Sequence, residues 1–106
     1  MTQVDDYQVW TRSTVVYGHG TDGEQALYEA VKLTAEAGEV AQVIAKGFRD
    51  GGDIRAKLVD ELGDVEWYLA RVRDRFGITH AEVLGANRAK LEGRKARGTL
   101  RGSGDR

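Results

Sequence analysis

The chain has no cysteine and no proline. Without cysteine there are no disulfides, no thiolate metal sites and no cysteine nucleophile, a pattern that suits a reducing cytoplasm. Without proline, long helices can run uninterrupted, since an interior proline costs about 3 kcal/mol. The two histidines, His19 and His80, lie far apart in sequence, so a histidine-rich zinc site is not expected. No apolar run approaches the roughly 18 residues of a membrane span. The acidic beginning, with Asp5 and Asp6, lacks the form of a secretory signal. The expectation is a cytoplasmic protein with no membrane partner. The remaining composition, 41% hydrophobic and 31% charged over 106 residues, is that of an ordinary globular chain. It suffices for one core, and residues 1–106 are expected to form a single domain.

The formal net charge of −1 hides an asymmetry. Residues 1–86 carry 9 Lys/Arg against 15 Asp/Glu, while residues 87–106 carry 7 against 2. An acidic body with a basic end suits a nucleic-acid arm, or a metal cage beside a phosphate clamp. The second is favoured, because the basic residues are interspersed with glycines and make a poor continuous face. Nucleic acid is therefore not the expected partner.

Periodicity predicts four helices and no strand, an all-α fold. The first covers roughly residues 3–14, with Val4, Tyr7, Trp10 and Thr11 as its stripe. After Gly18-His19-Gly20, Thr21-x-x-Glu24 forms a capping box that opens a second helix. That helix is expected to run to about Lys46 and stop at Gly47, with Leu27, Ala30, Thr34, Ala37, Ala41, Ile44 and Phe48 facing inward. Leu33, Val40 and Val43 lie off this stripe and are expected to face a partner, as are Tyr7 and Trp10. Asp53 is the expected N-cap of a third helix whose Leu58, Leu62, Val65, Leu69, Val72 and Phe76 alternate by four and three. Gly77 closes it. Thr79-x-x-Glu82 caps a fourth helix through about Lys95, with Val83, Leu84 and Leu91 inward. Residues 98–106 form a Gly-rich basic tail without periodicity.

Two acidic pairs carry the chemistry: Glu36-x-x-Glu39 and Glu61-x-x-Asp64. Three-residue spacing sets both carboxylates of a pair on one helix face. None of the four has a Lys or Arg three or four positions later, where a solvated ion pair would place one. If the two helices pack antiparallel, four carboxylates converge, and a divalent cation between them relieves their repulsion. Oxygen-only ligands suit Mg²⁺ or Mn²⁺. The competing reading is two solvated helix faces, since Asp50 and Asp53 show the same spacing in an expected loop. Gly38 and Gly63, each inside a pair and in mid-helix, favour the site because glycine there implies a close backbone approach. Lys46 lies seven residues after Glu39, on its face, within reach of a bound phosphate.

Glu36-Ala-Gly-Glu39 followed by Glu61-Leu-Gly-Asp64-Val-Glu-Trp-Tyr-Leu-Ala resembles the ExxE…ExxD signature of MazG-like nucleotide pyrophosphohydrolases, most closely the small phage and bacterial type. The resemblance continues through Asn87-Arg-Ala-Lys90-Leu91, Arg94, Arg97-Gly98 and the Gly102-Ser-Gly-Asp-Arg106 tail. It implies a four-helix protomer that forms a homodimer or homotetramer. The implied activity is Mg²⁺-dependent hydrolysis of a (deoxy)nucleoside triphosphate to the monophosphate and pyrophosphate, with Mn²⁺ as a substitute. The resemblance makes Glu36, Glu39, Glu61 and Asp64 the metal ligands, with Glu36 or Glu39 orienting the attacking water. Lys46, Lys90, Arg94 and Arg97 become phosphate contacts, Tyr68 a base-stacking ring, and Asn87 a base-edge or ribose contact. Trp67 is placed in the core rather than on the base, His19 in a solvated loop, and the tail over the phosphates. The alternatives are a catalytically silent nucleotide-binding or scaffold bundle and, less favoured, a nucleic-acid-binding protein working through its basic end.

Overall fold

A computed structural model describes residues 2–18 and 20–101. The fold is all-α, with four helices and one short 3-10 segment. Helix α1 spans Gln3–Trp10 and opens with a capping box between Thr2 and Asp5. The single helix expected over 3–14 is divided, because Thr11–Thr14 tighten into a 3-10 helix. The hydroxyls of Thr11, Ser13 and Thr14 turn back onto the carbonyls of Gln8, Trp10 and Thr11, competing with the α-helical pattern.

Helix α2 spans Asp22–Asp50, capped by Thr21 and Glu24 as expected. It runs through Gly47 and ends at Gly51, whose φ of 75° supplies the left-handed step. Helix α3 spans Arg55–Arg75. Ile54 rather than Asp53 holds its N-cap position, although Asp53 Oδ1 accepts from the Arg55 amide at 2.9 Å. Helix α4 spans His80–Arg97, capped by Thr79 and Glu82 and closed by Gly98.

Helices α2 and α3 form an antiparallel hairpin: Glu29 meets Arg75 at one end, and Gly47 faces Ile54 at the other. The face of α2 turned to α3 is not the expected one. Glu29, Leu33, Glu36, Val40, Val43 and Gly47 are its less exposed positions, whereas Leu27 is 65% and Phe48 89% exposed. Helix α2 is apolar on two sides, and periodicity picked the longer stripe. The charged partners on α3 pull the other side inward. On α3 the expected stripe is half-buried at Leu58, Val65, Leu69 and Val72 but exposed at Leu62 and Phe76.

Among the described residues Ala70 is the one fully buried hydrophobic side chain, and the largest fully buried side chains are Glu29 and Thr11. The seam joining α1 and the 3-10 segment to α3 is polar. Arg12 grips Asp74 with two bonds at 2.9 and 2.8 Å, and Arg71 Nη1 donates to both Asp74 and Thr11. Arg73 Nε donates to Gln8 Oε1, whose amide nitrogen donates to the Ile78 carbonyl and so fixes the approach to α4. Helix α4 then stands clear of the hairpin, with every residue from Ala81 to Glu92 exposed. The expected inward packing of Val83, Leu84 and Leu91 is therefore absent among the described residues. The connection Phe76–Thr79 is held by the bonds of the Phe76, Gly77 and Ile78 amides to carbonyls at the end of α3 and by Gln8 on the Ile78 carbonyl. No helix among the described residues is long and apolar enough to cross a membrane.

Candidate functional site

Glu36 sits mid-way along α2, and Glu61 and Asp64 lie one turn apart on α3. The antiparallel register brings one carboxylate oxygen from each to within 4.8 Å of the others. Glu36 and Glu61 are half-buried and Asp64 is exposed. Burial pushes the Glu61 carboxyl above its ordinary value, helped by the negative charges of Asp64, Glu39, Asp60 and Glu36. The donor set could hold a hard divalent cation, since its donors are all carboxylate oxygens and ligands opposed across Mg²⁺ stand about 4.2 Å apart. Small side-chain rotations would close the set on a cation.

Glu39 lies outside the tight triad. It lines a neighbouring concavity with Glu61, Gln42, Lys46, Asp50 and Lys57 at the hairpin tip. Neither Lys46 nor Lys57 takes part in a side-chain ion pair among the described residues, whereas Asp50 is engaged by Arg49. On the other side of the triad Glu36 and Asp64 edge an aromatic cleft walled by Tyr17, Tyr28, Trp67 and Tyr68. Tyr17 and Tyr28 rings are 4.6 Å apart, and Trp67 meets Tyr68 edge-on at 4.8 Å. Trp67 Nε1 donates to Thr14 Oγ1 at 2.7 Å, so the indole both packs and lines the cleft. Burial pushes the Tyr68 phenol up, reinforced by Tyr28 and by the Glu36 charge. The carboxylates thus stand between a hollow that holds Lys46 and Lys57 among acidic side chains and a cluster of aromatic rings.

Of the residues singled out from sequence, the structure groups Glu36, Glu61, Asp64 and Tyr68, with Glu39 and Lys46 beside them. It does not bring Asn87, Lys90, Arg94 or Arg97 to the carboxylates within one protomer. Asn87 lines a shallow hollow on α4 with Arg88, Leu91 and Lys95. Lys90 is exposed on the same helix. Arg94 is half-buried, its Nε and Nη2 without a hydrogen-bond partner among the described residues. Arg97 lies against Gly93. His19 and the tail residues Gly102–Arg106 fall outside the described residues.

The close backbone approach expected at Gly38 and Gly63 is not found. A Cβ at either position would meet nothing within 4 Å, because both glycines point away from the hairpin contact. Gly47 is the tight one, with Ile54 Cγ2 only 2.7 Å from such a Cβ.

Tyr17, Tyr28 and Glu29 escaped the sequence reading. A signal was present: Glu29 precedes Glu36 by seven residues, and Arg71 and Arg75 follow Asp64 and Tyr68 by seven, so each continues the same helix edge. Tyr17 lies in a loop, where no periodicity marks it.

A family model described as the MazG nucleotide pyrophosphohydrolase domain matches residues 25–98. The chain is also similar to the Gene 37 protein of Mycobacterium phage L5, 36% identical over an alignment of 110 residues that covers 96% of each chain. No solved structure gives a significant match. The matched span contains both acidic pairs, all of α3 and α4, and every wall of the aromatic cleft except the segment carrying Thr14, Val16 and Tyr17. With an acidic triad at the heart of that span, the chain belongs to the MazG nucleotide pyrophosphohydrolase family.

Proposed function

We propose that this protein hydrolyses a (deoxy)nucleoside triphosphate to the monophosphate and pyrophosphate with the help of Mg²⁺, for which Mn²⁺ can substitute. The convergence of Glu36, Glu61 and Asp64 oxygens within 4.8 Å carries the proposal. A bound Mg²⁺ supplies phosphate charge neutralisation and a more acidic coordinated water.

The side chains divide the remaining work by position. Glu36, Glu61 and Asp64 hold the cation. Glu39, outside the triad yet close enough to act on Glu61, is the carboxylate left to orient the attacking water and accept its proton. Water attacks the α-phosphorus, the bond to the bridging oxygen breaks, and pyrophosphate leaves. Lys46 faces the hollow on the leaving side, where positive charge stabilises the departing group. Tyr68 and its neighbouring rings receive the base.

One protomer leaves this site short of cations and leaves too much apolar surface open. The outer stripe of α2 and Val83, Leu84 and Leu91 of α4 are uncovered. A second copy, in a homodimer or homotetramer, buries those faces and lets Asn87, Lys90, Arg94 and Arg97 reach the site of its neighbour. Light scattering at micromolar concentration tests this, and a monomer would sink it.

The activity is tested by incubating standard and modified (d)NTPs with Mg²⁺ or Mn²⁺ and assaying pyrophosphate. Release of pyrophosphate and monophosphate is expected. Intact nucleotides that nevertheless bind would leave a silent nucleotide-binding bundle. Intact nucleotides with RNA or DNA bound on a steep salt slope would favour the basic end instead.

A further inference from the structure

Glu29 is a fully buried carboxylate that the proposed chemistry does not use. Its Oε1 accepts from Arg75 Nε at 2.8 Å and its Oε2 from Arg75 Nη2 at 3.1 Å. Arg71 Nε stands 3.6 Å from the same Oε2 and has no hydrogen-bond partner of its own among the described residues. Asp74 links Arg71 onward to Arg12, so five charged side chains run in sequence across the foot of the hairpin. A buried cluster of this kind is expensive to desolvate and is a weak stabiliser against an apolar alternative. It invites a role beyond stability.

The remaining partner shows which role. Tyr17 Oη donates to Glu29 Oε2 at 2.7 Å. Tyr17 belongs to the connection between the 3-10 segment and α2, in which Val16 is 92% exposed and both Gly18 and Gly20 are exposed. Thr14, at the start of that connection, is tied to Trp67. Beyond it, the Tyr17 phenol anchors the loop through its bond to Glu29. The same ring lies 4.6 Å from Tyr28 at a tilt of 47° and meets Trp67 edge-on at 6.2 Å, forming one wall of the aromatic cleft. Glu29 and Glu36 lie seven residues apart on one face of α2, about 10 Å along the axis, so the tether and the carboxylate triad sit at opposite ends of the cleft.

We infer that Glu29, held by Arg75 and Arg71, is a positioning residue: it fixes the Tyr17 ring as a wall of the nucleoside cleft and thereby sets nucleotide affinity without touching the reacting atoms. The identity of the cleft's occupant rests on the function proposed above. Tyr17 and its loop fall outside residues 25–98, so this wall is a feature of the chain rather than of the matched family span.

The test reads binding apart from turnover. Trp10 and Trp67 are the two tryptophans, so a W10F protein reports on the cleft through Trp67 emission alone. It is titrated with the common ribo- and deoxyribonucleoside 5′-monophosphates in the absence of metal. In that background Y17F keeps the ring and removes the tether. It should weaken the tightest monophosphate about threefold to tenfold, the worth of one net hydrogen bond. The KM for triphosphate hydrolysis should rise by the same factor, with kcat held within about twofold. E29A should behave like Y17F, while E29Q, which keeps an acceptor oxygen for Tyr17, should return KM to the wild-type value although it melts lower. A Y17F protein that melts lower but has unchanged Kd and KM would overturn the inference. So would triphosphate hydrolysis with no response of Trp67 to any nucleotide, because the cleft would then not hold the nucleoside. A Trp67 response weakened by Y17F in a protein that hydrolyses nothing supports the positioning role and sinks the hydrolase reading. Should the Glu29 variants fail to fold, Y17F decides alone.

Discussion

Beyond the first turn of α2, three glycines lie within the hairpin helices, Gly38, Gly47 and Gly63, and they should not all respond to alanine with the same sign. In a helix interior alanine is favoured over glycine by about 1 kcal/mol. At Gly38 and Gly63 the new methyl meets nothing within 4 Å, so that gain should be realised almost whole. At Gly47 the methyl would stand 2.7 Å from Ile54 Cγ2 and 3.4 Å from its Cδ1. Isoleucine is β-branched and stiff at χ1, and Ile54 occupies the N-cap position of α3, so relief requires the hairpin tip to open. Overpacking of this kind costs about 1–3 kcal/mol, which equals or exceeds the propensity gain. G47A should therefore be neutral to about 2 kcal/mol less stable, and G38A and G63A up to about 1 kcal/mol more stable. At roughly 4–8 °C per kcal/mol for a domain near this size, thermal melts at one fixed protein concentration resolve the difference. A G47A protein stabilised as much as G38A would refute the hairpin packing at Ile54. If instead G38A or G63A is destabilised and its oligomeric mass falls, a second copy covers that glycine.

The remaining predictions concern charge. E61Q should lose turnover while its metal-free melting temperature stays level or rises, because one of the clustered carboxylates no longer repels the others. Wild type should gain melting temperature with Mg²⁺ or Mn²⁺ by mass action and E61Q much less; equal gains would remove Glu61 from the metal site. Acid should act through Asp74 and Glu29. The Arg12 bond chiefly holds Asp74 below its ordinary 3.8; for Glu29, burial pushes upward but is outweighed by the bonds from Arg75 and Tyr17 and by the arginine charges, leaving it below 4.5. Groups depressed on folding stabilise above the unfolded pKa, so metal-free melting temperature should fall as pH drops through and below about 4. D74N should flatten that slope; an unchanged slope would sink the assignment. Glu61, raised on folding, contributes in the opposite sense and loses stability as pH rises through its folded value. Finally, mixing E61Q with an inactive K90A protein should restore activity if α4 serves the neighbouring site, whereas no recovery after subunit exchange would place Lys90 outside it.

The helices and their caps were legible because the signals are local: three capping boxes, two of them read in advance, and glycines at the ends of α3 and α4. Thr21–Glu24 and Thr79–Glu82 satisfy amides within their own helix turn, so tertiary packing has little to overrule. The approach of Glu36 to Glu61 and Asp64 was legible because a spacing of three fixes a face and a missing basic partner marks it, whereas Glu39, expected in the same group, falls outside it. The side of α2 that meets α3 was not legible. Periodicity ranks apolar stripes by regularity, and on α2 the more regular stripe faces outward. Glycine misled for a related reason: mid-helix glycine marks a close approach only if something approaches, and Gly47 rather than Gly38 or Gly63 meets that condition within the protomer. The rings at Tyr17 and Tyr28 depend on where a loop is tied, which a spacing cannot report.

The arrangement of polar and apolar faces follows from what the hairpin must hold. Between α2 and α3 lie the carboxylate triad at mid-height and the Glu29, Arg71 and Arg75 cluster at the foot, so charge occupies surface that an ordinary helical pair gives to leucine and valine. Burial of apolar area is the dominant favourable term in folding, at about 25 cal/mol per Å². With charged groups taking part of the inner faces beside Leu33, Val40, Val43, Val65 and Leu69, much of the apolar area is left on the outer ones. Leu27, Val31, Ile44 and Phe48 on α2, Val59 and Leu62 on α3, and Val83, Leu84 and Leu91 on α4 supply it, all exposed in one protomer. A chain of 106 residues with Ala70 as its one fully buried hydrophobic residue among those described has little to spend on standing alone. In the proposed assembly, association and site assembly are one process: a second copy that covers the outer stripes would also bring its α4, with Asn87, Lys90 and Arg94, toward a neighbouring carboxylate triad.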